Sequence, residues 1–163
     1  MISKYTFLTL VLMLFSSCKN DFLGEKSTIL LNSEHNKWLK SNYGYQTWIP
    51  TKKDLEIVDK VLEKAIENNE FDFIKDPVKE NIDKYPYKQY IPYLDNNGDR
   101  IIYLNTFCLP PEEQVFEING EYEWKKFDWK NEYYKVDDGG FCYWSIIINI
   151  DKVEYSNFMV NGP

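Results

Sequence analysis

Few residues of this chain are placed to do chemistry. Gly-x-Ser-x-Gly, His-Glu-x-x-His and Cys-x-x-Cys are all absent, so the common nucleophile, zinc-peptidase and dithiol arrangements do not arise. Two carboxylates can act as acid and base. With 26 Asp and Glu such pairs are easy to find, and spacing singles out none. Asp137 and Asp138, ahead of Gly139 and Gly140, are the best acidic candidates; a hairpin turn is the simpler reading, because Asp and Gly suit turn backbone. Asp95–Asp99 (DNNGD) sets oxygens at alternating positions, as a calcium loop does. The EF-hand pattern requires Gly sixth and Glu twelfth, whereas Gly98 is fourth and Thr106 twelfth, so a tight turn explains the stretch. His35, the only histidine, sits among charged residues and reads as solvated. No catalytic residue, metal ligand or cofactor site emerges.

Cys108 and Cys142 carry a structural expectation. Both fall on the inward phase of strand-like runs, and outside the cytoplasm neighbouring thiols oxidise. A disulfide closing about 35 residues would contribute roughly 4 kcal/mol. Two separate buried thiols are the alternative. The run EWKKFDWKNEYY (123–134) scatters aromatic residues among charges, which makes Trp124, Trp129, Tyr133 and Tyr134 the candidate ligand surface. Such rings give contact area at low side-chain entropy cost. The alternative is that they fold back as a cap over a sheet.

The elements that must position these residues follow from periodicity. Phe141–Ile150 (FCYWSIIINI) alternates, with Cys142, Trp144, Ile146, Ile148 and Ile150 on an apolar face, and is expected as the central strand of a small sheet. Tyr87–Leu94 and Arg100–Cys108 form a hairpin about Asn97-Gly98. Pro92 lacks a backbone donor, so the first arm belongs at an edge or bulge. Val115–Trp124 reads as one more strand or an excursion turning at Asn119-Gly120. Asn131–Val136 reads as a strand paired with Phe141–Ile150, and Val153–Val160 as the last strand. Thr51–Asn68 is the clearest helix: Thr51 caps it, Asp54 occupies the capping-box position, and Leu55, Val58, Leu62, Ala65 and Ile66 form one stripe. Ser33–Lys40 is a short helix with Trp38 and Leu39 as its apolar contact. Residues 70–86, broken by Pro77 and Pro86, read as a covering loop. The fold class is α+β, one principal amphipathic helix packed on an antiparallel meander of four to six strands.

The first 17 residues read as a signal peptide. Lys4 precedes a ten-residue apolar stretch, Thr6–Phe15, too short to span a bilayer comfortably. Ser16 and Ser17 then lead into Cys18, a pattern similar to a bacterial lipobox, with cleavage before Cys18 and lipid on its thiol. An ordinary secretory signal or an uncleaved anchor is the alternative. Residues 18–46 are then a lipidated tether with a short helix, and 47–163 a single α+β domain.

The stretches PTKKDLEIVDKVLEKAI (50–66), YKQY (87–90), NGDRIIYLNTFC (97–108), DDGGFCYWSIIINI (137–150) and FMVNG (158–162) together resemble a group of small uncharacterised envelope lipoproteins of Bacteroidetes. Lys19-Asn20-Asp21 is similar to the Lys-acidic stretch that directs some of them to the cell surface. The resemblance implies a lipid-anchored envelope location, with the outer membrane favoured and the leaflet open. It assigns no activity. A net charge of −7 argues against nucleic acid and anionic lipid as general partners. The functional expectation is therefore a non-enzymatic envelope lipoprotein that binds a protein or envelope component. A glycan-binding accessory lipoprotein, an envelope inhibitor or immunity protein, and a small enzyme are the alternatives.

Overall fold

The structure is a computed structural model that describes residues 22–73, 86–118, 120–136, 139–141 and 143–160. The expected signal peptide, Cys18, Lys19–Asp21, Asp137, Asp138 and Cys142 lie outside the described residues, as does most of the expected 70–86 loop.

The Asn97-Gly98 hairpin forms as its sequence dictates. Strands β2 (Tyr87–Leu94) and β3 (Arg100–Phe107) pair antiparallel from Leu94↔Arg100 to Tyr87↔Phe107. Gly98 adopts φ +82°, which a residue without Cβ enters at no steric cost. Asp95 Oδ1 accepts from the amides of Asn97 (2.8 Å) and Asp99 (2.9 Å), so the residues tested as a calcium loop hold a turn. The edge expectation for Pro92 is corrected for the strand and holds only locally: β2 is second in the sheet, but β1 (Ser27–Ile29) pairs with Lys88–Tyr90 and stops short of Pro92. Leu30 N donates to Tyr90 O and Leu94 N to Gln46 O, so even-numbered residues of β2 turn their backbone outward. Pro92 sits between these two bonds, where its missing N–H leaves no ladder partner unsatisfied.

The main sheet has the order β1-β2-β3-β6-β7. Strand β6 (Trp144–Asn149) is interior but not central; β3 takes the centre. The expected strand from Phe141 starts three residues late. Phe141 is exposed, Gly140 turns at φ +77°, and Tyr143 N closes that turn on Gly140 O. A Cβ on Gly139 would collide with the Tyr143 ring, so the two glycines answer different demands. Strand β7 (Glu154–Val160) closes the far edge, antiparallel to β6 with a bulge between Ser145 and Ile147. At the other edge β1 (Ser27–Ile29) runs parallel to β2. Residues 27–29, expected within a tether, are thus part of the sheet, which is mixed rather than purely antiparallel.

Even-numbered side chains of β2, β3 and β6 face helix α2 (Lys52–Glu67). Its Leu55, Val58, Val61, Leu62 and Ala65 pack with Tyr90, Ile102, Leu104, Trp144, Ile146 and Ile148. Full burial of each large aliphatic side chain is worth about 1.5–3 kcal/mol. Asp54 accepts from Thr51 N (2.8 Å) and Thr51 Oγ1 (2.7 Å), as the box position predicts. Its other oxygen accepts from Arg100 Nη1 (2.8 Å). Arg100, the chain's only arginine, also donates to Asp151 and lies 5.4 Å from the Trp48 ring centre. One guanidinium thereby joins the α2 N-terminus, the β2–β3 turn and the β6–β7 turn.

Odd-numbered side chains face the opposite way, and that face divides in two. Ile91, Tyr93 and Ile101 pack with Leu30 and with Leu39 of helix α1 (Glu34–Tyr43). Beside them Thr28, Gln89, Asn105 and Ser145 stand in one row across four strands, all buried. Buried polar groups need partners; Thr28, Gln89 and Asn105 find them in the chain from Trp129 to Tyr134, whereas Ser145 Oγ finds none among the described residues. Gln89 Nε2 donates to the carbonyls of Trp129 and Glu132 (both 2.7 Å), and Gln89 Oε1 accepts from Tyr134 N (3.1 Å). Asn105 Nδ2 donates to Tyr134 O (2.8 Å), and Thr28 Oγ1 to Lys130 O (2.9 Å). The expected strand Asn131–Val136 is therefore part of a strap, residues 129–136, lying over the sheet. Its backbone bonds to side chains of three strands instead of to a neighbouring strand.

Strands β4 (Glu113–Ile118) and β5 (Glu121–Lys126) form a separate two-stranded sheet, the excursion reading of Val115–Trp124. The disulfide expectation needs correction in the placing of Cys108, the only described cysteine; its expected partner Cys142 lies outside the described residues. Cys108 itself is a bonded half-cystine, half-buried just past the end of β3 and not on a strand's inner face.

Candidate functional site

Helix α1 is set by local chemistry. Ser33 and Asn36 form a reciprocal cap, with Ser33 N donating to Asn36 Oδ1 (3.0 Å) and Asn36 N to Ser33 Oγ (3.3 Å). Asn36 Nδ2 then donates to Leu30 O (3.0 Å), which locks the helix's rotation about its axis. Asn36 and Leu39 turn to the sheet, and Trp38, one residue round, turns away. The expectation that Trp38 shares the apolar contact with Leu39 is thus corrected: Trp38 is 48% exposed and Leu39 7%.

This rotation lines up rings from four parts of the chain. The His35 ring stacks 4.3 Å from Tyr133 of the strap, 5.6 Å from Tyr103 of β3 and 5.6 Å from Trp38. Trp38 meets Tyr43 edge-on at 5.3 Å, Tyr43 stacks on Tyr45 at 5.3 Å, and Tyr45 lies almost parallel to Tyr93 at 4.9 Å. Trp38 and Tyr43 are each about half exposed. The aromatic row is therefore anchored at both ends in the domain and open in the middle. His35 is not solvated as its sequence neighbours suggest; burial lowers its pKa below 6.5, favouring the neutral ring. Burial also raises the Tyr93 phenol far above its usual range.

Clefts flank α1 on both sides. One, of about 550 Å³, is lined by Asn32, Glu34, His35, Trp38, Asn131 and Tyr133. The other, about 610 Å³, includes Asn32, Asn36, Lys37, Lys40 and Gln46. Both offer amides and charged groups, and the first also has the rings of His35, Trp38 and Tyr133 in its wall. Such an arrangement can hold a ligand with alternating apolar faces and hydroxyl groups. Among the described residues no cluster of three or more His, Cys, Asp or Glu is arranged to hold a metal ion.

The four rings expected to form a ligand surface go to different places. Trp124 is 71% exposed on the β4–β5 hairpin. Trp129 packs edge-on against Tyr87 (4.9 Å) and Phe107 (6.1 Å). Tyr134 packs against Phe107 (5.1 Å) and Phe127 (5.2 Å), and burial raises its phenol pKa. Only Tyr133 joins the α1 row. The residues that the sequence reading passed over, His35, Trp38, Tyr43 and Tyr45, share one signal: four aromatic rings within eleven positions around a capped ten-residue helix.

No protein-family model, curated protein or solved structure matches this chain. Among the described residues no helix is long and apolar enough to cross a membrane.

Proposed function

We propose that this chain is a non-enzymatic, lipid-anchored recognition protein of a bacterial cell envelope, and that it binds a glycan along the α1 face. The observation that carries the reading is the open middle of the aromatic row, Trp38 and Tyr43, flanked by the amide-lined clefts. Sugar rings present C–H faces that stack on aromatic rings and equatorial hydroxyls that amides and carboxylates can bond. An inhibitor that meets a basic enzyme through its acidic surface would need no such exposed rings. The lipid anchor rests on Lys4, the short apolar run and Ser16-Ser17-Cys18.

Affinity electrophoresis through gels loaded with envelope and extracellular polysaccharides tests it. Retention by at least one glycan class is expected. Trp38→Ala and Tyr43→Ala should each weaken it by about tenfold, with melting nearly unchanged because both rings are half-exposed. Equal retention of both variants, or no retention of the native chain by any glycan, would refute the reading.

A further inference from the structure

Strand β5 (EYEWKK) has every residue exposed, including Tyr122 at 75% and Trp124 at 71%, with Val115 opposite Trp124 at 40%. Among the described residues it pairs with β4 alone, and an isolated two-stranded hairpin is marginal in water. An open strand edge is a template for another strand. The direction of that edge can be worked out. Phe127 N donates to Glu112 O (3.1 Å), so position 127, and with it 125, 123 and 121, turns its backbone towards β4. Tyr122, Trp124 and Lys126 therefore turn their N–H and C=O groups to the open edge.

We propose that a second copy of this chain occupies that edge, β5 against β5, antiparallel about a two-fold axis through Trp124. The side-chain order selects this register. It places Trp124 opposite Trp124, Tyr122 opposite the second copy's Lys126, and Glu123 opposite the second copy's Lys125. All outward backbone groups then face each other as hydrogen-bonded pairs. Moving the axis to Glu123 sets two carboxylates opposite each other, and moving it to Lys125 sets two ammonium groups together; like charges directly opposite destabilise a sheet. The strand is thus complementary to itself at one register, as an isologous contact requires. The product is a continuous four-stranded sheet, β4-β5-β5-β4.

Sedimentation velocity on the full chain, in a detergent that holds its apolar N-terminus in solution, tests this. The native chain should dimerise reversibly. Glu123→Lys should weaken the dimer by about tenfold, since two Glu123–Lys125 pairs turn repulsive at once. Glu123→Lys with Lys125→Glu should restore it. Circular dichroism on each variant confirms that the main sheet is intact. A native chain that stays monomeric throughout, or variants that dimerise equally well, overturns the proposal. A monomer whose Trp124 emission shifts to the blue only on zwitterionic lipid vesicles overturns it in favour of a bilayer contact.

Discussion

Gln89→Met tests the strap most directly. The substitution roughly keeps volume and apolar packing in β2 but removes every hydrogen bond the side chain makes. Gln89 is fully buried, donates to Trp129 O and Glu132 O, and accepts from Asn105 Nδ2 and Tyr134 N. Four bonds at about 1 kcal/mol each put the loss near 4 kcal/mol if the strap stays seated. The strap has another course, which is to lift and give its carbonyls to water. That course caps the loss at whatever the strap's docking is worth, so the smaller of the two penalties will be observed. Against a typical stability of roughly 5–15 kcal/mol the variant should remain folded. Urea unfolding followed by circular dichroism measures the total, and a loss of about 2–4 kcal/mol is expected. Amide exchange separates the two courses. The Tyr134 amide should exchange at least about tenfold faster, while Ile102 and Ile148 amides change no more than global stability demands. A loss below about 0.5 kcal/mol with Tyr134 still protected would show that the strap is held by something other than the polar row.

Two further outcomes follow from buried charge and from the single histidine. Arg100→Ala leaves the Asp54 carboxylate, whose side chain is 7% exposed, without its cation; the loss in urea unfolding should be about 2 kcal/mol, below the figure for a fully buried pair because Arg100 is 40% exposed. The His35 pKa is lowered by burial, so the unfolded chain takes up its proton first as pH falls: stability is fully present above about 6.5 and declines below it, levelling once the folded ring is protonated. With no other histidine, His35→Phe should flatten the urea midpoint between about pH 7.5 and pH 5.5, and an unchanged slope would locate the titration elsewhere.

Where the determinants were local, the sequence could be read. Thr51 with Asp54 and one apolar stripe define α2, and Asn97-Gly98 between two alternating runs defines the β2–β3 hairpin; both need only neighbours in sequence. Strand β1 was hidden because three residues carry no usable period. The rotation of α1 was hidden because Trp38 and Leu39 are adjacent, and the choice between them is made by Asn36 bonding to Leu30 O. Residues 131–136 have the composition of a strand, rich in tyrosine with a valine. What decides against it is a row of side chains from positions 28, 89 and 105, which no local pattern foreshadows. The binding face was misplaced for the same reason. Trp129 and Tyr134 belong to the strap's inner side, and the rings left open lie on a helix whose orientation is a tertiary matter.

Because Leu23 packs against the core and Lys26 O accepts from Lys88 N, a lipid on Cys18, as proposed, would lie no more than five residues from the folded body. Five residues fully extended span about 17 Å, whereas a lead running to residue 46 would span about 95 Å. The first is about half the thickness of a bilayer's hydrocarbon core; the second would carry the domain well clear of it. Thr28 and Leu30 bind the edge of that body to the strap and to α1, so the aromatic row hangs from the short lead as one piece. On the proposed anchor, the height of that row above a membrane would be set by Leu23 and the three-residue strand that follows it. On the proposed reading, the ligand would have to come to the lipid surface to be met.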